Sequence, residues 1–320
     1  MPKFDPLRDI PSLAGKVAIV TGGKYLANHG AKVYLAARSG DAAKQAISRM
    51  ETDNPKLQGQ NRIVFLRLDL GTLKGAQQAA EQFLGLESRI DILIHNAALM
   101  SHEYAQTTDG IEDGFAVNHL APFVFTQRLL PLLVSTSKEN DSDVRVVTIA
   151  SAVHSMAPSG GKFKSLEEIN DRLGPVSSPN GIKSRYARYA RSKLANILFS
   201  KELQKHFVAA SSPALSMLVD PGGVATETVL TSSGGVPLVG WLLGFAISRL
   251  ARSPLDGATT ALFAATSLDV AQKRAEFKGA FVADFGVIKR GSRDAENPEL
   301  AEALWTATEG ITADILSQHN

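Results

Sequence analysis

Seven short apolar runs rich in β-branched residues recur along the chain, most of them followed by a stretch of helical length. This alternation restricts the fold more than any other feature. The runs at 16–20, 32–36, 63–68, 90–95, 144–149, 215–219 and 279–283 read as strands. They are near-continuously apolar, as strands covered by helices on both faces must be. The stretches 41–51, 73–86, 111–133, 186–208 and 256–265 carry amphipathic helical spacing. Such alternation builds βαβ units. The chain is therefore expected to form one doubly wound α/β domain over residues 1–320, with a mostly parallel seven-stranded sheet and helices on both faces. Residues 1–14 read as an N-terminal extension, and no repeat or linker is evident. Two segments, 152–183 and 226–254, lack regular signals. Both follow strands at the carboxyl edge of the sheet, where open α/β folds bind ligands, and long loops there are more often functional than ornamental.

Composition removes several classes of function. An apolar content of 44% suffices for a large core, and 34 basic against 32 acidic residues leave no electrostatic footprint for nucleic acid. The absence of cysteine excludes disulfides and thiolate metal sites. The 7 histidines include no pair with zinc-ligand spacing and a nearby acid, so no metal is expected and a metal-dependent hydrolase is disfavoured. The N-terminus MPKFDPLRDIPSL lacks the charged-then-apolar pattern of a signal peptide. The apolar run 236–247 falls well short of the roughly 20 residues that span a bilayer, and Pro237, Gly240 and Gly244 interrupt it. The expectation is a soluble, cytoplasmic protein.

Tyr189 and Lys193 stand four apart in YARYARSKLANILFSKEL and share a helix face. An ammonium near a phenol favours the phenolate, lowering its pKa from about 10 and making tyrosine usable as an acid or base. The flanking Arg185, Arg188 and Arg191 read as a solvated stripe. Many surface pairs share this spacing, so the context matters. Ser151 follows the strand 144–149. Asp220-Pro221-Gly222-Gly223-Val224-Ala225-Thr226 follows a second strand and His95-Asn96-Ala97-Ala98 ends a third, while Asn118 falls within the helix expected at 111–133. In a parallel sheet the strand-end residues converge on one edge.

Together with KVAIVTGG, AKVYLAAR, LDL, DGIEDGFAVNHL and VVTIASAVHS, these segments resemble the short-chain dehydrogenase/reductase family over residues 15–285. Within it they are most similar to retinol-dehydrogenase-like and WW-domain-oxidoreductase-like members, fungal relatives of secondary metabolism included. The resemblance implies a Rossmann fold and a nicotinamide cofactor carrying the hydride. It implies that Tyr189 protonates a carbonyl oxygen or deprotonates an alcohol, and that Lys193 lowers the phenol pKa and holds the nicotinamide ribose. Ser151 would hydrogen-bond the substrate oxygen, and Asn118 would support a water relay to Lys193. Thr21, Gly22 and Gly23 would belong to the phosphate loop. Asn96, Val224 and Thr226 would line the cofactor, and Asp69 and Leu70 would contact the adenine. Arg128 is a further candidate for the site, with an exposed helix arginine as its alternative. An acid at the end of the second strand binds the ribose of NAD, whereas arginine accommodates the 2′-phosphate of NADP. Tyr34-Leu35-Ala36-Ala37-Arg38 offers no acid before Asp41, which favours NADP over NAD and points to Arg38.

One part of the pattern is broken. The family loop Thr-Gly-x-x-x-Gly-x-Gly opens a full helix, but here Val20-Thr21-Gly22-Gly23 runs directly into Lys24-Tyr25-Leu26-Ala27. About nine residues are absent after Gly23, the two later glycines among them. The first βα crossover is thus expected to be shortened, with about two helical turns at most. Three origins stay open: a shortened isoform or mis-assigned splice junction, a binding module that kept the fold, or an altered loop in which Lys24 meets a phosphate.

The functional expectation is an NADP-dependent oxidoreductase acting on a lipophilic ketone, aldehyde or secondary alcohol. The alternative is a catalytically impaired binding module. In the family the region corresponding to 226–254 is a mobile lid over the substrate, and here it contains Pro237-Leu238-Val239-Gly240-Trp241-Leu242-Leu243-Gly244-Phe245. Its apolar character implies a lipophilic ligand and leaves homo-oligomer or membrane-surface contact open. The insert between Ser151 and Tyr189 either shapes the substrate mouth or decorates it.

Overall fold

A computed structural model describes residues 4–21, 25–101, 103–175, 177–178, 180–222 and 254–318. Among these the strands are β1 (Val17–Val20), β2 (Lys32–Ala37), β3 (Ile63–Arg67), β4 (Ile92–His95), β5 (Arg145–Ile149), β6 (Leu215–Val219), β7 (Phe281–Ala283) and β8 (Val287–Lys289). They form one sheet in the order β3-β2-β1-β4-β5-β6-β7-β8. Every pair is parallel except β7 with β8. This is the Rossmann order, and the strand order reverses between β1 and β4, where such sheets bind ligands. The first seven strands fall on the seven apolar runs. β8 extends the expected seven-stranded sheet: it is a three-residue edge strand with all its residues exposed, so no buried face marks it in the sequence.

The helices are α1 (Tyr25–Asn28), α2 (Gly40–Asp53), α3 (Leu73–Leu84), α4 (Asp113–Phe115), α5 (Ala121–Ser137), α6 (Leu166–Ile169) and α7 (Ile182–Ala209), followed by Pro254–Thr266 and Pro298–Ser317 among others. The shortened crossover is real in the fold. α1 is a single turn whose Leu26 and Ala27 are buried, and β1 still pairs with β2 in parallel, Val17 opposite Lys32. A π-helical turn, Ala116–Leu120, divides the expected helix at 111–133 and contains Asn118.

Alternate strand residues enter opposite layers, as the pleat requires. Val17 and Ile19 join Phe83, Phe123, Phe199 and Leu203 on one side. Ala18 and Val20 join Val33, Val147, Met217 and Phe263 on the other. The N-terminal extension is part of this second layer: Phe4 meets Phe263 edge-on at 5.5 Å, and the Leu13 N–H donates to the His29 carbonyl at 2.8 Å. The helix Pro298–Ser317, absent from the sequence reading, closes the first layer. Its Trp305 stacks on Phe199 at 5.9 Å and on His206 at 4.1 Å. Apart from Pro254, the expected lid segment 226–254 lies outside the described residues.

Candidate active site

β5 runs out at Ile149, and two residues later Ser151 caps the short turn Ala152–Met156, its side chain accepting from the Val153 N–H at 3.3 Å. α7 packs against this turn and against β6. On α7, Lys193 is 1% exposed and donates Nζ to the Ile149 carbonyl at 2.9 Å. The same Nζ lies 5.5 Å from the centroid of the Tyr189 ring. Sequence and topology thus bring Ser151, Tyr189 and Lys193 to the carboxyl edge of β5.

Burial dominates the electrostatics of the pair. Burial, with smaller contributions from Asp220 and Tyr186, pushes the Tyr189 phenol up to about 12. Burial pushes Lys193 down to about 8 despite the opposing charge of Asp220. Besides burial, Asp220 and Tyr186 are the groups that raise the phenol, and the Lys193 ammonium is held by the Ile149 carbonyl.

Asn118 is 2% exposed and its amide is committed. Its Oδ1 accepts from the Leu99 N–H at 2.6 Å, and its Nδ2 donates to the Leu99 carbonyl and to Ser192 Oγ, both at 2.9 Å. Both amide hydrogens are used, so the side chain ties the segment after β4 to α7 at the residue beside Lys193. At the reversal point, Thr21 Oγ1 accepts from the Asn96 and Ala97 N–H groups at 2.8 and 2.7 Å, and Asn96 Nδ2 returns a bond to the Thr21 carbonyl at 2.9 Å. Gly22, Gly23, Val224 and Thr226 lie outside the described residues.

Arg38 is exposed just past β2. Arg67, which sequence reasoning missed, is exposed on β3 opposite Ala37, so two cations mark this corner of the sheet. Asp69 accepts from the Gly71 N–H at 2.9 Å, and Leu70 packs against the core. Arg128 is not brought to the site. It is exposed on α5, about 15 Å along the helical path from Asn118 at 1.5 Å per residue.

The arginines flanking Tyr189 require a correction. Arg188 and Arg191 are 3% and 0% exposed, not a solvated stripe. Arg191 donates to the carbonyls of Glu168, at 2.6 Å, and Ile169. Arg188 donates to the Arg172 carbonyl at 3.0 Å and stands 3.6 Å from buried Glu112. These guanidiniums fasten the insert onto α7. Asn170 completes the attachment, accepting from the Glu112 N–H and donating to the Gly110 carbonyl, both at 2.7 Å. The stretch 168–172 of the insert is therefore anchored to the turn of α7 that carries Tyr189. Asp220 was also missed, although its Asp-Pro-Gly turn was noted. Its carboxylate accepts from the Ala152 N–H at 3.2 Å and the Gly222 N–H at 2.9 Å.

A doubly wound parallel sheet with its polar side chains gathered at the carboxyl edge of the strands defines a Rossmann-type fold with a ligand site at that edge. Residues 16–162 match the family model for short chain dehydrogenase. The chain is 38% identical to a short-chain dehydrogenase/reductase of Armillaria gallica, covering 93% of each chain. It is also 38% identical to a short chain dehydrogenase/reductase of Colletotrichum higginsianum, covering 93% of this chain and 75% of the relative. Among solved structures, a Mycobacterium Paratuberculosis protein superimposes with a TM-score of 0.69 at 27% identity, covering 97% of this chain and 98% of that one. The chain belongs to the short-chain dehydrogenase/reductase family of oxidoreductases, which use a nicotinamide cofactor.

The described residues fit the two ends of such a cofactor. Tyr189, Lys193 and Asn96 stand where the strands end near the reversal point, and Arg38 and Arg67 mark the far corner. The residues that would face its middle, 22–24, lie outside the described residues, and the described part of α1 has 4 residues.

Proposed function

We propose that the protein is an NADP-dependent oxidoreductase of lipophilic ketones, aldehydes or secondary alcohols, with Tyr189 as its acid and base. The observation that carries this is the pairing of half-buried Tyr189 with buried Lys193 beside Ser151 at the end of β5. In the reducing direction Tyr189, protonated because burial holds its pKa at about 12, gives its hydroxyl proton to the substrate oxygen. Ser151 Oγ–H donates a hydrogen bond to the same oxygen and fixes its position. The Lys193 ammonium stabilises the phenolate left behind, and oxidation of an alcohol reverses these steps. A bound nicotinamide supplies or accepts the hydride. Asn118 keeps Ser192, and with it this turn of α7, in register with the segment after β4.

Arg38, with Arg67 beside it and no acid at the end of β2, supports NADP over NAD. Three exposed apolar side chains support a lipophilic substrate. Ile182 is 72% and Tyr186 39% exposed, and both share the α7 face of Tyr189 by helical spacing. Met156, 60% exposed, ends the turn that Ser151 begins. A path of this kind suits an apolar ligand with one polar atom at the reacting end. Fungal relatives accord with a place in fungal secondary metabolism, and a cytoplasmic location is part of the reading. Among the described residues no helix is long and apolar enough to cross a membrane. Membrane-surface or homo-oligomer contact through 226–254 falls outside the described residues.

The single turn of α1 favours a second reading, in which the fold persists with impaired cofactor binding. Titration of NADPH fluorescence separates the two, comparing this chain with a version carrying about nine residues of Gly-x-Gly pattern inserted after Gly23. The chain is expected to bind more weakly than low-micromolar, and the restored version to bind tightly. Low-micromolar binding by the chain itself makes the short crossover a working alternative; no binding by either protein removes the cofactor assignment. A series of ketones of increasing chain length then tests the substrate class, and indifference to length counts against a lipophilic site.

A further inference from the structure

The backbone carbonyl of Ser151 accepts twice from one residue: from the His154 N–H at 3.1 Å and from His154 Nδ1 at 2.7 Å. On the far side of the ring, Nε2 accepts from the Ser292 N–H at 3.0 Å. A ring that donates at Nδ1 and accepts at Nε2 is one neutral tautomer, fixed by its two partners. His154 is 5% exposed and stands edge-on to Phe281 of β7 at 5.5 Å. No part of the proposed chemistry uses it.

The segment that presents Ser292 is itself pinned. The Gly291 N–H donates to Glu296 Oε1 at 2.7 Å, and Glu296 pairs with Lys201 of α7 at 2.5 Å. Asp294 accepts from the Gly160 N–H of the insert at 2.8 Å. A Cβ at position 291 would stand 2.7 Å from Ala295 Cβ and 3.5 Å from His154 Nε2, so the glycine permits this close approach. The peptide after Ser151 is thus gripped from two sides, its carbonyl by His154 and its Ala152 N–H by Asp220. A tilt of that peptide plane swings Ser151 Oγ, and a misplacement of about 1 Å at a reacting group costs about a hundredfold in rate.

We propose that His154 is a positioning residue that couples the segment 291–296 to the Ser151 hydroxyl. The inference rests on the reading of Ser151 given above. Two variants probe the link from opposite ends. His154→Phe keeps a ring against Phe281 and removes both side-chain hydrogen bonds. Ser292→Pro removes the donor N–H, 138 residues away in sequence, together with the hydroxyl that accepts from the Ala295 N–H at 3.4 Å. Ser292→Ala, which loses that hydroxyl alone, is its control. Amide hydrogen exchange over residues 148–157 is compared in the wild type and both variants, with kcat and KM for a turned-over ketone measured in parallel.

Exchange in the Ser151 turn is expected to rise about tenfold in each variant, with the thermal midpoint little changed. kcat is expected to fall about tenfold with KM within about threefold, and neither variant should lower kcat further in a Ser151→Ala background. Unchanged exchange in the turn overturns the coupling. Losses that multiply with that of Ser151→Ala overturn the action through Ser151. If no protein turns over any ketone at NADPH concentrations shown by titration to saturate it, while the turn still loosens in both variants, the coupling stands and the catalytic reading of Ser151 falls.

Discussion

β5 has a buried cation at each end, and the two are treated differently. At its start Arg145, 1% exposed, donates to the carbonyls of Ala264 at 3.0 Å and Ser267 at 2.9 Å and forks onto Asp143. Burial opposes ionisation of the Asp143 carboxyl, yet Arg145 and Arg274 together hold it below its usual value. At the other end Lys193 is equally buried but has one strand carbonyl, and burial drives it down to about 8. A fully paired cation cements the layers at the amino edge. A cation with a single neutral acceptor is poised to titrate, the condition expected where chemistry occurs.

Three substitutions test this contrast, the largest expected effect first. Tyr189→Phe should cut turnover about a thousandfold, equivalent to about 4 kcal/mol of barrier, with no loss of thermal stability. Steady-state rates and a melting curve check both halves, and retained turnover would break the assignment of the carboxyl edge. Arg145→Met should do the opposite, costing about 3 kcal/mol in urea unfolding while kcat per folded molecule stays unchanged. Equal losses in both measurements would erase the distinction between the two ends.

The third effect is smaller and depends on pH. Lys193 titrates near 8 when folded, against a usual 10.5. Between these values the unfolded chain holds a proton that the folded protein has released, so stability from this group rises with pH. Relative to Lys193→Met, the wild type should gain up to about 1.4 kcal/mol per pH unit across that window. Parallel urea titrations from neutral to alkaline pH measure the gain, and a flat difference means that Lys193 is not desolvated as described.

The first seven strands were legible because each is a short run of apolar residues with no alternative use, whereas exposed β8 carries no such mark. The Ser151, Tyr189 and Lys193 grouping was legible because parallel strands must end on one edge. Arg188 and Arg191 were not, since charge on a helix ordinarily faces water and their partners are main-chain carbonyls of the insert, which carry no residue signature. His154 was hidden for the same reason: its partners at Ser151 and Ser292 are backbone groups. The helix Pro298–Ser317 did leave a signal. Asn297 caps it, proline follows at the first helical position, and Leu300, Leu304, Thr308, Thr312 and Ile315 recur at helical spacing on the buried side.

That last helix also bears on how the chain acquires its structure during synthesis. His119 meets Thr308 across 189 residues at 3.2 Å, and Phe123 meets Trp305 at 4.9 Å. Until the helix emerges from the ribosome, the aromatic face of α5 and α7 has no cover. Translation at about 5–20 residues per second leaves that face bare for roughly 10–40 seconds after α5 is complete. Closure of this layer therefore has to wait for the helix Pro298–Ser317, long after the residues it covers have been made.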